Sequence, residues 1–309
     1  MDRNIQHYIR PGTRAHLVGI GGVSMAPLAE VLHGAGVAVT GSDMNESAAV
    51  AHLRTLGIPV TIGHLPESVE GAHCVIRTAA VHDDNPEIAA ARAAAIPVFE
   101  RAQAWGAIMS HYENALCVAG THGKTTTTSM CTHIFLAAER DPSVMIGGVL
   151  PALGAGHRVG RGDTIILESC EYCNSFLSFL PTVAVILNVD ADHLDFFKDL
   201  EDVKHSFRRF AQLVPEKGFV VADLDDENTM DALKGVEQRV VTFGLEQGDV
   251  HAANLSWVNG YGTFDVIARG ERFAHVELSV PASTTYATPW PPAPPPSAST
   301  SPPLPWRKA

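Results

Sequence analysis

The sequence predicts an α/β protein made of two successive domains, each built on a parallel sheet. Short apolar runs alternate with alanine-rich helical stretches, and the rhythm restarts after about residue 105. Two of the apolar runs also lead straight into glycine turns that open helices. Alternation of this kind packs helices over the faces of a parallel sheet.

In the first domain RAHLVGI (14–20) reads as a buried strand, and SMAPLAEVLHGAG (24–36) as a helix closed by glycine. VAVTGSD (37–43) is the next strand, AAVAHLRTLG (48–57) a helix, and HCVIRTAA (73–80) a third strand. PEIAAARAAA (86–95) is helical and IPVFE (96–100) a short strand. The second domain opens with the strand NALCVAG (114–120) and the helix TTTSMCTHIFLAAE (126–139). A glycine-rich connection over 147–162 leads to the strand TIILES (164–169). TVAVILN (182–188), the amphipathic DVKHSFRRFAQLV (202–214), GFVVADLDDEN (218–228) and RVVTFG (239–244) continue the pattern. ANLSWVN and TFDVIARGERFAHVELSV (263–280) alternate in polarity, as an antiparallel addition would. The expected organisation is therefore 1–105, 106–281 and a tail over 282–309. That tail is rich in the chain's 20 prolines, lacks periodicity and is expected to be disordered and polyproline-like.

Composition narrows the partners. Of 309 residues, 46% are hydrophobic and 18% charged, enough apolar content for a sizeable core. A net charge of -12 argues against a nucleic-acid partner, since phosphate backbones are met by clustered Lys and Arg. No run approaches the about 18 apolar residues of a membrane span. The start, MDRNIQHYIRPG, lacks the apolar core of a secretory leader. Five scattered cysteines do not form a disulfide framework. A reducing cytoplasm, away from membranes, is the expected setting; oligomeric state is not legible.

Strand, glycine turn, Lys-Thr and helix, as in AGTHGKTTTT (119–128), is a recipe for holding phosphate. Backbone N–H groups at the helix start point at the anion and the helix dipole favours it. Lys124 adds a point charge, and the Thr125 hydroxyl can bind Mg²⁺. The usual G-x-x-x-x-G-K-[ST] spacing fails, because Val118 stands where its first glycine belongs and Gly120 leaves the loop two residues short. The plainer reading is a helix cap with an exposed lysine; placement directly after an apolar strand favours phosphate.

Ligands of open α/β sheets gather beyond the carboxyl ends of strands. Glu168 and Asn188 stand at two such ends, so Thr125, Glu168 and the Asp190/Asp192/His193 group share one rim. Glu168 is the best metal ligand after Thr125, while His193 and the aspartates also read as a loop histidine and helix caps. CEYC (170–173) has the spacing of a redox or zinc pair, but a structural zinc needs four ligands, so its cysteines read as packing residues beside Glu168 and Glu171.

The first domain has its own turn, GIGGVS (19–24). Gly19 and Gly21 fill the first two places of G-x-G-x-x-G and Ser24 the third. Asp43 ends the next strand, about 20 residues on, where dinucleotide folds keep a ribose-binding acid. Taken alone, this turn suggests an NAD-dependent oxidoreductase.

Together these motifs resemble the Mur ligase family over about residues 14–281. HLVGIGGVSMAPLAEVL with GSD is similar to that family's Rossmann-like UDP-sugar-binding domain. AGTHGKTTTT looks like its shortened ATP loop, with a histidine typical of the branches that add L-alanine and that recycle murein tripeptide. LESCEYCNSFL with ILNVDADHLDFF is similar to a Gram-positive-type version of its central, P-loop-type ATPase domain. The resemblance implies that Gly120, Thr121, His122, Gly123, Lys124, Thr125 and Thr126 bind ATP. It assigns Mg²⁺ to Thr125 and Glu168, with His193 at a second Mg²⁺, and makes Lys124, Glu168 and His193 the catalytic set. Gly21, Gly22, Val23, Ser24 and Asp43 would contact the UDP portion of the substrate. The implied reaction joins L-alanine to UDP-N-acetylmuramate through an acyl phosphate, in peptidoglycan precursor synthesis. A murein-tripeptide substrate is the alternative within the family.

At Pro281 the sequence departs from the resemblance. Family members continue with G-x-H-N-x-x-N-A-L-A-A and then a third domain, where this chain reads ASTTYATPWPPAPPP. With suitably chosen codons, a one-base shift of reading frame converts a stretch encoding GKHNVRNALAAGAAA into that run, so residues 282–309 are expected to be a frameshifted reading of the missing motif. The expectation is a chain lacking the third domain, with weak or absent ligase activity. A non-catalytic protein recruiting partners through its tail is the remaining reading.

Overall fold

The computed structural model describes residues 4–281 apart from Ala79. The expected tail over 282–309 lies outside the described residues. Contacts divide the described residues into two compact units, one of 4–112 with Asp141–Asp163, the other of Glu113–Arg140 with 164–281.

The first unit contains β1 (Arg14–Val18), α1 (Met25–Gly34), β2 (Ala38–Asp43), α2 (Ala48–Thr55), β3 (Val60–Ile62), β4 (Cys74–Arg77), α3 (Pro86–Ala93), β5 (Val98–Glu100) and α4 (Arg101–Met109). Its strands lie in the order β3–β2–β1–β4–β5, all parallel. The order reverses at β1, so the turn after β1 opens at the crevice between β2 and β4, where ligands of such sheets bind. Local chemistry sets the helix starts. Ser47 accepts from the Val50 N–H at 3.1 Å to cap α2, and Asn85, followed by Pro86, accepts from the Glu87 N–H at 2.9 Å to cap α3. Glu100 and Gln103 form a capping box on α4. The sequence reading missed β3, a short strand with two exposed residues, and α4, which is buried on nearly every face and so shows no apolar stripe.

The second unit opens with β6 (Asn114–Ala119) and α5 (Lys124–Ala137). The intervening β7 (Ser143–Leu150) and β8 (Ala155–Arg158) are an antiparallel pair that clusters with the first unit. They correct the expected glycine-rich connection over 147–162. Its glycines serve close strand approach: a Cβ on Gly156 would stand 2.7 Å from the Gly148 carbonyl oxygen. The chain then forms β9 (Thr164–Glu168), β10 (Val183–Ile186), α6 (Leu200–Gln212), β11 (Phe219–Asp223), α7 (Glu227–Ala232), β12 (Val240–Gly244), β13 (Val250–Val258), β14 (Tyr261–Ala268) and β15 (Glu271–Pro281).

Within the second unit the strand order is β15–β14–β13–β12–β11–β10–β6–β9. The pairs from β9 to β13 are parallel, and β13–β14–β15 form the expected antiparallel addition. α6 packs its apolar face through Phe207 and Phe210, which meet Phe176 edge-on at 5.3 Å and stacked at 4.5 Å.

Asp223 ends β11 at 7% exposure. Burial pushes its carboxyl up to about 6, with the charges of Asp225 and Asp226 adding to the rise against a hydrogen bond from the Asp225 N–H. A carboxyl raised in the folded state binds its proton more tightly there than in the unfolded chain. Stability is therefore lost as pH rises from about 4 to about 6. Asp223→Asn keeps an oxygen for the Asp225 N–H, and is expected to gain about 3 kcal/mol at pH 7.5, shrinking toward pH 4. Urea unfolding across that range checks it, and a gain independent of pH would contradict the assignment.

Candidate functional site

β6 sits where the second sheet's order reverses, between β10 and β9. The turn after it therefore has the end of one strand on each side. Gly120 leaves β6 with φ +146, and a Cβ there would stand 2.9 Å from the Leu187 Cβ. Thr121 N–H donates to the Asn188 carbonyl at 3.1 Å, and His122 N–H donates to Asn188 Oδ1 at 2.7 Å. Asn188 Nδ2 returns a bond to the His122 carbonyl at 3.1 Å, and the Asp190 N–H donates to Thr121 Oγ1 at 2.9 Å. The amides of Thr121 and His122 are thus engaged by the β10 side. Those from Lys124 to Thr126, in the first turn of α5, lie beyond any intrahelical acceptor, as the first N–H groups of a helix do.

Lys124 Nζ donates to the Gly120 carbonyl at 2.6 Å, the Thr121 carbonyl at 3.1 Å and Glu171 Oε2 at 3.0 Å. Glu171 is only 1% exposed, so this is a buried ion pair. Thr125 Oγ1 donates to Glu168 Oε1 at 2.9 Å, bringing together the two expected metal ligands. His193 has φ 52 and stands with Glu171 rather than with that pair: its Nε2 is 3.9 Å from Glu171 Oε1. The Tyr172 ring packs against it at 4.8 Å, and the Tyr172 hydroxyl donates to Asp195 at 2.9 Å. Asp190 and Asp192 accept from the N–H groups of Ala191 and His193, both at 2.7 Å, as turn residues do. Cys170 and Cys173 are both partly buried. Among the described residues no group of three or more His, Cys, Asp or Glu side chains is arranged around a metal position.

In the first unit, Gly21 N–H donates to Asp43 Oδ2 at 2.9 Å, and the Asn45 N–H donates to Asp43 Oδ1 at 3.1 Å. Asp43 thus braces the 19–24 turn, and a Cβ at Gly21 would stand 2.9 Å from that carboxylate oxygen and displace it. Val23 is exposed. Ser24 accepts from the Arg101 guanidinium through Oγ, and its carbonyl accepts from Trp105 Nε1 at 3.3 Å. Beside the turn lies a cleft of about 490 Å³ lined by Gly19, Asp43, Met44, His64 and Thr78 among others.

Beneath that cleft Glu87 is fully buried. Its Oε2 accepts from Ser42 Oγ at 2.5 Å and lies 3.0 Å from His64 Nδ1, and its Oε1 lies 3.4 Å from His16 Nε2. Burial pushes the Glu87 carboxyl up; His16 and Ser42, pulling the other way, hold it below the usual carboxylate range. Sequence reasoning passed over Glu87, His64, His16, Arg101 and the pairing of Glu171 with Lys124. The one signal for the first group was His16, a polar residue inside an otherwise apolar strand.

Residues 14–113 match the family description "Mur ligase family, catalytic domain", and residues 118–286 match "Mur ligase middle domain". The UDP-N-acetylmuramate–L-alanine ligase of Caldanaerobacter subterraneus subsp. tengcongensis is 47% identical over 270 residues, covering 87% of this chain and 59% of its own length. The protein of the same name from Clostridium novyi is 42% identical, with the same coverage. The chain thus spans about 59% of the length of these curated relatives. Among solved structures, the UDP-N-acetylmuramate-alanine ligase of Thermotoga maritima superposes with a TM-score of 0.74 at 31% identity, over 87% of this chain and 61% of that one. The UDP-N-acetylmuramate:L-alanyl-gamma-D-glutamyl-meso-diaminopimelate ligase of Neisseria meningitides gives 0.79 at 27% identity, over 89% and 90%. Both glycine turns fall within the matched stretches, and the chain belongs to the Mur ligase family.

Proposed function

We propose that this chain forms the UDP-sugar-binding and ATP-binding portion of a ligase that joins L-alanine to UDP-N-acetylmuramate. The observation that carries this reading is the rim after β6, where a lysine, a threonine hydroxyl and a carboxylate converge on a helix start. Residues 1–105 take the UDP-sugar, with Gly21, Gly22, Val23 and Ser24 at the diphosphate and Asp43 holding the turn. Residues 106–281 take ATP on Gly120, Thr121, His122, Gly123, Lys124, Thr125 and Thr126. The Thr125–Glu168 oxygen pair suits a hard cation that keeps several waters and shares phosphate oxygens. Mg²⁺ bound there would neutralise charge on the transferring phosphoryl group. Lys124 exchanges its loop-carbonyl bonds for phosphate oxygens and keeps Glu171 as its anchor, and His193 stands beside the same carboxylate. In the proposed reaction the lactyl carboxylate of UDP-N-acetylmuramate takes the γ-phosphoryl group of ATP, and the amine of L-alanine then displaces phosphate. Such chemistry belongs in the cytoplasm; among the described residues no helix is long and apolar enough to cross a membrane.

Calorimetric titration of the 309-residue chain tests the reading. UDP and Mg·ATP are expected to bind independently, and Glu168→Gln is expected to weaken Mg·ATP about tenfold or more while leaving UDP unchanged. Binding of NADH with no binding of UDP would sink it in favour of an oxidoreductase. The Neisseria structure favours a second reading within the family, in which a murein tripeptide replaces L-alanine. Competition between the two amines separates them.

A further inference from the structure

We propose that His64 reads the base of the uridine nucleotide in the first cleft, and that buried Glu87 positions it by fixing which ring nitrogen carries the proton. The inference rests on the UDP-sugar reading of that cleft. Its ground is the hydrogen-bond arithmetic around Glu87. A carboxylate under a sheet is unfavourable unless it is fully paired, and α3 does not need this one, because Asn85 already caps it. Glu87 Oε2 can only accept. Ser42 has a single O–H, and at 2.5 Å it is directed at that oxygen. His64 Nδ1 lies 3.0 Å from the same oxygen and 3.1 Å from Ser42 Oγ. Both neighbours can receive a hydrogen from the ring and neither has one to give, so the neutral tautomer that fits carries its proton on Nδ1.

A neutral imidazole with its proton on Nδ1 carries a lone pair on Nε2. Nε2 makes no hydrogen bond among the described residues, and the ring, at 14% side-chain exposure, lines the cleft together with Gly19 and Asp43. The cleft therefore presents a fixed acceptor. Uracil offers an imide N3–H to such an acceptor. Cytosine offers a lone pair at N3, which an acceptor repels. A buried group built to pair with an N–H rejects the analogue that lacks it. Glu87 acts here as a positioning residue, since it reaches the ligand only through His64.

The test uses the whole chain with UDP and CDP as probes. Nitrogen-15 spectra of His64 are expected to show hydrogen on Nδ1 alone, and Glu87→Gln is expected to move population to the Nε2–H form. By calorimetry UDP is expected to bind about tenfold or more tighter than CDP. His64→Asn retains an N–H toward Glu87 but is too short to place an acceptor at the Nε2 position, so it should lower UDP affinity to the CDP level and leave CDP unchanged. Hydrogen on Nε2 in the unaltered chain, or equal weakening of both nucleotides by His64→Asn, overturns the inference. UDP binding without preference over CDP overturns it alone, whereas no UDP binding overturns the uridine reading as well.

Discussion

Lys124→Met is expected to weaken ATP binding about a hundredfold and to destabilise the second unit in the same step. Among the described residues the ammonium is the only cation in hydrogen-bonding contact with Glu171, whose carboxylate is buried at 1% exposure. Removing one partner of a buried pair leaves the other charged and unsolvated, which costs about 3 kcal/mol or more. A merely exposed lysine on a helix cap would cost little. The second substitution separates the two effects. Lys124→Met with Glu171→Gln leaves no buried charge, so the double variant should regain most of the lost stability while ATP affinity stays down by about a hundredfold. Urea unfolding and calorimetry read the two quantities. Additive losses of stability in the double variant would show that the pair does not couple.

Gly120→Ala is the second large effect. At φ +146 an alanine is strained whatever the space, and its Cβ would stand 2.9 Å from Leu187 Cβ and 3.3 Å from the Asn188 nitrogen. Strain and overlap each cost about 1–3 kcal/mol, and the displaced carbonyl is one that holds Lys124 at 2.6 Å. Loss of about 3 kcal/mol, with ATP affinity falling at least tenfold, is the expected outcome. Gly123→Ala supplies the control. Its φ of +81 is also left-handed, but the nearest atom to a Cβ is Leu187 Cδ1 at an ordinary 3.5 Å, so about 1 kcal/mol is expected. Equal losses would mean that contact with β10 plays no part.

Much of this architecture was legible because local rules and topology agreed. Apolar runs ending in glycine placed β1 and β6, and open-sheet logic then brought Thr125 and Glu168 to one rim, where they meet at 2.9 Å. What escaped depends on distance in sequence. Glu171 lies three residues past Glu168 and was read only as a neighbour of two cysteines; its bond to Lys124 appears once β6 and β9 pair. Glu87 looked like an ordinary acidic residue in the first turn of a helix. Only the folded sheet sets it against Ser42 of β2, His16 of β1 and His64 after β3. The hairpin of β7 and β8 was lost because glycine that permits close strand approach looks the same in sequence as glycine that permits a loop.

The central position of β6 also has a consequence in time. Val118 is paired with Glu168 and Ala119 with Ile186, so both walls of the turn come from chain that is made later. At about 5–20 residues per second of synthesis, the lysine and its glycines wait some seconds before Glu168 and Asn188 exist to meet them. Until then the turn is an open segment with no grip on phosphate. On the proposed reading a nascent chain gains its hold on nucleotide late, after the sheet has closed around the first strand of the second unit.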